Sequence, residues 1–344
     1  MTRLVMVAGA GRSGTSTAAG ALSMLGLHLP QPEVPADETN PRGFFESQWV
    51  VDFHKDLLDR SPVFRTLDAR PEVAELAEKR PTEEDAERLS AWLAEQLAHE
   101  QVLVKDPRAF WFHDLWRRTA VEQGAELAFL TMLRHPAEVA KSRDTWYTPG
   151  VDEDFRRHRA TANVAGWCNA AFITERITRA EPRVFVRYTD MLGDWRAALR
   201  PVRDGLGLDL NADLDSSDHH AVDDFIDSGL RRSETTWDSV DLPDTLRAVA
   251  EGTWEQLNRL ADDPGDASAG AALERLQRDY DKVHDHAVGI ALDHTKAREV
   301  HVRRNAKANT RAELEGRISE LEGQVAELSA PTGRRWGSRS RGTR

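Results

Sequence analysis

The chain has 344 residues, of which 40% are hydrophobic and 30% are charged, and its formal net charge is -12. An acidic chain lacks the broad basic face that nucleic-acid binding needs, and no apolar run approaches the ~18 residues of a transmembrane segment. The length allows one large domain or two small ones. The single cysteine, Cys168, excludes an internal disulfide and a multi-cysteine zinc site, so we expect a cytoplasmic protein.

The first predicted element is a buried strand at residues 4–8, followed by a glycine-rich turn at 9–16 and a helix over 16–25. Such a turn aims several backbone N–H groups and the positive end of the helix dipole at one point, which favours an anion. Arg12 adds a positive charge whose forked geometry suits phosphate or sulfate oxygens. The turn is therefore the first candidate for a binding site.

The spacing of this turn agrees with more than one motif. Gly9, Gly11 and Gly14 match the dinucleotide-binding fingerprint. Gly9 with Gly14-Thr15-Ser16 matches the Walker A spacing, except that Thr15 stands in the place of the lysine, which disfavours an ordinary NTPase. The serine-nucleophile elbow fails by one position, because Thr15 occupies its last glycine site.

Strands and helices alternate along the next part of the chain. After a loop at 30–43, helices are predicted over 50–58 and 82–99, the second opened by a capping box of Thr82 and Asp85. Further strands are predicted at 102–104, 127–133 and 183–187, and further helices from Pro136 and over 154–180, 191–206 and 242–260. The alternation predicts an α/β fold, a three-layer parallel sheet of P-loop type flanked by helices.

The C-terminal part is predicted to form a helical, short coiled-coil extension. A linker at 261–272 divides a catalytic domain, 1–262, from a helical extension, 263–330, and from a disordered basic tail, 331–344. One long helix or a helical pair is predicted over 273–328. This helix carries a short heptad seam of Leu314, Ile318, Leu321, Val325 and Leu328. The seam predicts either a homodimer through this helix or a helix packed on its own domain.

Polar residues follow the predicted strands at the point where each strand ends. They are Arg12, Lys105, Arg134 and Tyr188, in chain order. Because ligands of parallel α/β sheets bind beyond the carboxyl ends of the strands, we expect these side chains to share one site.

With these motifs assembled, the sequence resembles the PAPS-dependent sulfotransferases, especially bacterial and Golgi-type members that act on glycans or protein hydroxyls. The resemblance covers residues 3–235 and rests on residues 11–16, residues 105–107, Arg134 with Ser142, and residues 186–192. It implies that the glycine-rich turn binds the 5′-phosphosulfate of PAPS (3′-phosphoadenosine-5′-phosphosulfate). It also implies that Arg134 and Ser142 bind the 3′-phosphate.

The resemblance implies PAPS as the donor, PAP as the product and no metal. A sulfuryl group carries one negative charge fewer than a phosphoryl group, so its in-line transfer can run on backbone N–H groups, arginine and lysine. The predicted cofactor-binding residues are Arg12, Ser13, Gly14, Thr15, Ser16, Arg134, Ser142 and Tyr188.

Two residues are predicted to be catalytic. Glu46 ends an Asn-Pro-x-Gly-x-x-Glu run that resembles the base-carrying segment of related glycan sulfotransferases, and it would accept the proton of the acceptor hydroxyl. Lys105 would stabilise charge on the leaving phosphate oxygen. The alternatives are a surface glutamate, an ion pair of Lys105 with Asp106, and His54 or His113 as the base, although both histidines lie in helical patterns typical of surface positions.

The sequence thus predicts a sulfotransferase that moves the sulfuryl group of PAPS to a hydroxyl of a carbohydrate or glycolipid by metal-free in-line transfer. One alternative is a P-loop nucleotide-dependent kinase, whose magnesium only Asp106 could hold. Others are a dinucleotide-binding dehydrogenase with Glu33 as its acidic residue and a nucleotide-binding coiled-coil scaffold. Arg231 and Arg232 either close over the 3′-phosphate or form an ordinary exposed pair.

Overall fold

The computed structural model describes residues 2–147, 150–226 and 236–329. Among these residues, four strands form one parallel sheet in the order β2-β1-β3-β4. The strands are β1 (Arg3–Ala8), β2 (Gln101–Lys105), β3 (Glu126–Leu133) and β4 (Arg183–Arg187). In the register of the sheet, Leu4 of β1 pairs with Val102 of β2 and with Leu127 of β3. The predicted α/β class and parallel sheet are confirmed.

Helices connect the strands and continue beyond them. They are α1 (Thr15–Met24), α2 (Gln48–Asp59), α3 (Val73–Glu78), α4 (Glu83–Gln96), α5 (His113–Glu122), α6 (Pro136–Tyr147), α7 (Glu153–Thr178), α8 (Tyr188–Gly193), α9 (Trp195–Leu206), α10 (Ala221–Phe225), α11 (Asp244–Asp262), α12 (Ala267–Ile290) and α13 (Leu292–Ser329). The predicted capping box opens α4: the Asp85 N–H donates to Thr82 Oγ1 at 3.3 Å, and the Thr82 N–H donates to Asp85 Oδ2 at 2.8 Å. None of the described helices combines the length and the apolar character needed to cross a membrane.

The sheet separates two apolar cores, because successive strand residues point to opposite faces. Leu4 and Met6 of β1 belong to the core that contains α2, α7 and α11, whereas Val5 and Val7 belong to the core that contains α1 and α9. This confirms the three-layer arrangement. Cys168 of α7 is completely buried in the first core, and burial raises the pKa of its thiol.

One predicted helix was wrong. Residues 191–206 do not form a single helix, since α8 ends at Gly193 and α9 begins at Trp195. Asp194 between them is extended, with φ -152° and ψ 94°, and its carboxylate accepts a hydrogen bond from the Ala197 N–H at 3.0 Å. The aspartate therefore caps α9 instead of continuing α8. Helices α3, α5 and α10 were not predicted.

The C-terminal part contains two successive helices, α12 and α13, with a break between Ile290 and Leu292. The chain divides into two compact units, Met1–His284 and Asp285–Arg344. Within the first unit, α12 buries Leu273 and Tyr280, and the Tyr280 hydroxyl donates to the Ala69 carbonyl at 2.5 Å.

The seam residues whose side chains are described lie on α13 and are 44% to 61% exposed; they are Leu314, Ile318, Leu321 and Val325. The domain boundary and the homodimer stay predictions. The Leu328 side chain, the predicted tail at 331–344, Arg231 and Arg232 lie outside the described residues.

The first prediction tests the domain boundary by truncation. A chain ending at His284 should keep its melting temperature to within about 2 °C, because every described side chain of 285–326 is exposed. A chain ending at Asp263 also loses the buried Leu273 and Tyr280, and should melt at least about 5 °C lower in calorimetry. Equal melting of the two truncated chains would instead support the boundary at 262/263.

Candidate active site

A cavity of about 340 Å³ lies where the four strands end. Its lining includes Arg12 after β1, Lys105 at the end of β2, Arg134 after β3 and Tyr188 after β4. The structure therefore brings together the four side chains that the parallel arrangement placed at one edge. Among the other predicted site residues, Gly14, Thr15, Ser16 and Ser142 also line the cavity, whereas Ser13 and Glu46 do not.

The start of α1 supplies hydrogen-bond donors to this cavity. Gly14 precedes the helix with a φ of 90°, and the Ala18 N–H donates to its carbonyl at 3.1 Å. The N–H groups of Thr15, Ser16 and Thr17 lie in the first turn, so they have no carbonyl partner within the helix. Together with the helix dipole they favour a bound anion.

Two residues shape the turn before α1. Arg12 has a φ of 79°, in the left-handed region that residues other than glycine seldom adopt. Backbone strain of this kind is concentrated at ligand-binding sites. The Ser13 N–H donates to the Ala10 carbonyl at 3.0 Å, and the Ser13 side chain is buried. Ser13 thus closes the turn, and its direct contact with a cofactor stays a prediction.

The cavity wall is strongly cationic. Five basic side chains line it, and none of its lining residues in the described part of the chain is Asp or Glu. The basic residues are Arg12, Arg42, Lys105, Arg134 and Lys141. Because the whole chain has a net charge of -12, this concentration of positive charge is local to the cavity. It favours a ligand that carries several negative charges.

Arg134 and Ser142, the predicted binders of a second phosphate, are connected through Arg12. Arg12 Nε donates to Ser142 Oγ at 3.2 Å, and Arg134 Nη1 donates to the Arg12 carbonyl at 3.0 Å. Arg134 Nε also donates to Glu138 Oε2 at 2.8 Å, and its guanidinium carbon lies 4.8 Å from the centroid of the Tyr188 ring. Burial raises the pKa of the Tyr188 hydroxyl further above neutral pH.

Lys105 brings an ammonium group to the start of α1 from a neighbouring strand. Its Nζ donates to Ser16 Oγ at 3.2 Å and to Glu46 Oε1. The position of the Walker A lysine is occupied by Thr15, whose side chain is buried. An ammonium group has three donors, and its contacts within the described part of the chain use two, so a third can serve an anion in the cavity.

Glu46 is buried, with 6% of its surface exposed, and forms ion pairs with Lys105 and with Arg108, whose Nη2 lies 3.5 Å from Glu46 Oε2. The alternative of a surface glutamate is therefore wrong. The residue before it, Phe45, has a φ of 53° and packs edge to face on Phe225 at a centroid distance of 5.3 Å.

Asp106 pairs with residues other than Lys105. Its Oδ1 accepts from Arg108 Nε at 2.7 Å, and its Oδ2 lies 3.3 Å from His54 Nδ1. Burial by itself would raise the pKa of the Asp106 carboxyl, but the contacts with His54 and Arg108 hold it below its ordinary value. The alternative of a Lys105–Asp106 ion pair is thus replaced by Lys105–Glu46 and Arg108–Asp106 pairs.

The surface positions expected for His54 and His113 were also wrong, since both rings are buried. His54 Nε2 accepts a hydrogen bond from Trp116 Nε1 at 2.8 Å. His113 packs on Phe129 at a centroid distance of 5.6 Å, and burial lowers its pKa to about 4. Neither histidine lines the cavity.

Sequence reasoning missed three basic residues of this region. Arg42 and Lys141 line the cavity, and Arg108 contacts Glu46. A signal was present for each, because Arg42 lies inside the run that ends at Glu46, Lys141 precedes Ser142, and Arg108 follows the motif at 105–107.

No family model matches the sequence, and no curated protein matches it. Among solved structures, the chain is similar to the sulfotransferase domain of the olefin synthase from Synechococcus PCC 7002, with 18% identity over 75% of this chain and 96% of that chain, and a TM-score of 0.43. It is also similar to the sulfotransferase domain from the curacin biosynthetic pathway, with 15% identity over 75% of this chain and 98% of that chain, and a TM-score of 0.43.

The second prediction concerns the glycine before α1. A Cβ atom at Gly14 would lie 2.2 Å from Tyr188 Cδ2, and a φ of 90° is itself unfavourable for alanine. Gly14→Ala should therefore lower the free energy of unfolding in urea by at least roughly 1–3 kcal/mol. Gly193→Ala is the matched control, because a Cβ there meets nothing within 4 Å. Equal unfolding midpoints for the two variants would contradict this account of the turn.

Proposed function

We propose that this chain is a sulfotransferase that moves the sulfuryl group of PAPS to a hydroxyl group without a metal ion. The observation that carries the proposal is the cavity wall, in which five basic side chains and no Asp or Glu occur among the described lining residues. The acceptor class, a carbohydrate or glycolipid, rests on the resemblance of residues 40–46 to the base-carrying segment of glycan sulfotransferases.

The donors of the cavity form two groups, which suits a ligand with two anionic ends. Lys105 and the N–H groups at the start of α1 form one group, joined at Ser16. Arg134 and Ser142 form the other. The first group would hold a 5′-phosphosulfate and the second a 3′-phosphate. Arg12, which the sequence assigns to the 5′-phosphosulfate, contacts both members of the second group and would join the two ends of the ligand. The residues present therefore fit PAPS. ATP and NAD lack a 3′-phosphate and would leave the second group unused.

Two further observations support sulfuryl transfer over phosphoryl transfer. Thr15 occupies the position of the Walker A lysine. Asp106, the carboxylate required by the kinase alternative, bonds to Arg108 and does not line the cavity. PAPS supplies a sulfuryl group, which carries less negative charge during transfer than a phosphoryl group does. Hydrogen-bond donors can therefore stabilise its transfer without a metal ion. The wall of basic side chains provides such donors.

The location of each side chain, on the cavity wall or next to Lys105, is the basis for the role proposed for it. Lys105 lines the cavity and has a donor available, so it would stabilise the charge that develops on the leaving phosphate oxygen. Glu46 lies next to Lys105, and its carboxylate would take the proton of the acceptor hydroxyl. Arg12 and Arg134 would bind and orient the donor without taking part in proton transfer.

The remaining alternatives account for less of the structure. A dinucleotide-binding fold continues after its first helix into a second strand that leads to the acidic residue. In the described residues this stretch forms only an isolated bridge between His28 and Val102, and Glu33 bridges to Ser47. A scaffold that merely binds a nucleotide does not require a buried Lys105–Glu46 pair.

The third prediction tests the donor. PAP at a hundred times its dissociation constant should stabilise the protein by about 2.7 kcal/mol, seen as a rise of the melting temperature, and EDTA should not reduce the rise or the transfer from PAPS. ATP and NAD are the comparison ligands. A magnesium-dependent rise with ATP and none with PAP would contradict the proposal and support the kinase.

The fourth prediction separates binding from chemistry. Arg134→Ala should weaken PAP binding by roughly 10- to 150-fold in calorimetric titration, because it removes charge-assisted phosphate contacts worth about 1.5–3 kcal/mol. Lys105→Ala should lower kcat by about 10²- to 10³-fold and change PAP affinity less. Arg200→Ala is the control, because Arg200 forms an exposed ion pair with Asp215. An unchanged kcat in Lys105→Ala would contradict its catalytic role.

The fifth prediction concerns the base. Glu46→Gln keeps the shape of the side chain and an acceptor for Lys105 but cannot take a proton. Turnover should fall by about 10²- to 10⁴-fold, while PAP affinity stays within a few-fold of wild type. Glu38→Gln, at an exposed position of the same loop, should leave turnover unchanged. A near-normal rate in Glu46→Gln would show that another group accepts the proton.

A further inference from the structure

A series of buried side chains begins at Trp116 in α5. Trp116 Nε1 donates to His54 Nε2 at 2.8 Å, and both side chains are fully buried. An indole N–H group can only donate, so His54 Nε2 must be the accepting nitrogen. The imidazole is therefore neutral and carries its proton on Nδ1.

The carboxylate of Asp106 offers an acceptor to the proton on Nδ1. His54 Nδ1 lies 3.3 Å from Asp106 Oδ2. Within the described part of the chain, neither of these two buried atoms has a hydrogen-bond partner of regular geometry. Buried polar atoms are rarely left without a partner, so we infer that the Nδ1–H group interacts with the carboxylate across this distance of 3.3 Å. His54 thereby occupies one oxygen of Asp106.

The other oxygen of Asp106 holds Arg108. Oδ1 accepts from the backbone N–H and from Nε of Arg108, both at 2.7 Å. These bonds close a ring that sets the direction of the guanidinium group. Its Nη2 then reaches Glu46 Oε2 at 3.5 Å, while Lys105 binds the other oxygen of Glu46. The series thus ends at the carboxylate proposed as the base.

We propose that His54 and Trp116 are positioning residues of this site. They fix Asp106, which directs Arg108 and through it the carboxylate of Glu46, and neither lines the cavity. The inference rests on the proposed function only for the role of Glu46. It also assigns both nitrogens of His54 to protein contacts, which leaves no lone pair on this ring to act as a base.

A merely structural role of His54 makes a different demand on the side chain. His54 packs on Phe112, with ring centroids 5.8 Å apart, and any side chain that fills this space preserves the packing. Positioning requires in addition an N–H donor directed at Asp106. Asparagine and leucine have nearly the same shape, but only asparagine offers such a donor.

The test compares His54→Asn with His54→Leu in the full-length chain. His54→Leu should lower kcat with PAPS by about 10- to 100-fold at unchanged KM for PAPS, and His54→Asn should restore kcat to within a few-fold of wild type. Trp116→Phe, which removes the N–H group together with part of the ring, should lower kcat less than His54→Leu. Equal losses in His54→Leu and His54→Asn, or a loss that appears in KM alone, would overturn the inference.

A second readout does not depend on activity. Crystal structures of the two ligand-free variants should show the Arg108–Glu46 contact kept in His54→Asn and lost in His54→Leu, and long-range ¹H–¹⁵N spectra of wild type should show the proton of His54 on Nδ1. A wild type that turns over no PAPS but shows these features refutes the proposed function and leaves the positioning intact. An unchanged Arg108 in His54→Leu, or a proton on Nε2, refutes the positioning.

Discussion

The candidate active site depends on the burial of one ammonium group. Lys105 ends β2 with only 4% of its surface exposed, and a buried charge is stable only when it is paired. Glu46 meets this requirement from a loop that precedes α2, and Ser16 adds a contact from α1. Three segments that are distant in sequence are therefore held at one point, and the same point is where an anion would meet the sheet edge.

The positive charge of the cavity wall can attract an anion only from a short distance. The chain as a whole is acidic, and screening at physiological ionic strength limits electrostatic attraction to about 8 Å. An anion would thus be held by the donors of the cavity rather than drawn in by the field of the whole molecule. The pairing of Arg12 with Ser142 and of Arg134 with the Arg12 carbonyl keeps two of these donors in place before any ligand arrives.

The sheet, and the position of the basic side chains where its strands end, could be predicted because their signals are local. The apolar run of β1, buried on both faces, can be read from neighbouring residues. So can the spacing of eight residues between Arg134, just before α6, and Ser142 within it. The partners of Glu46 could not, since the loop sequence does not show that it folds back onto β2. The contact between His54 and Trp116 joins residues 62 positions apart, and only the packing of α2 on α5 reveals it.

The single thiol of the chain makes the opening of the first core measurable. Cys168 is fully buried in α7, and its raised pKa keeps the reactive thiolate scarce. A thiol reagent added to the native protein can react with it only after α7 has separated from the sheet. The rate of that reaction reports how often the first core opens, and a cysteine introduced at the surface could carry a spectroscopic label with little background from the native residue.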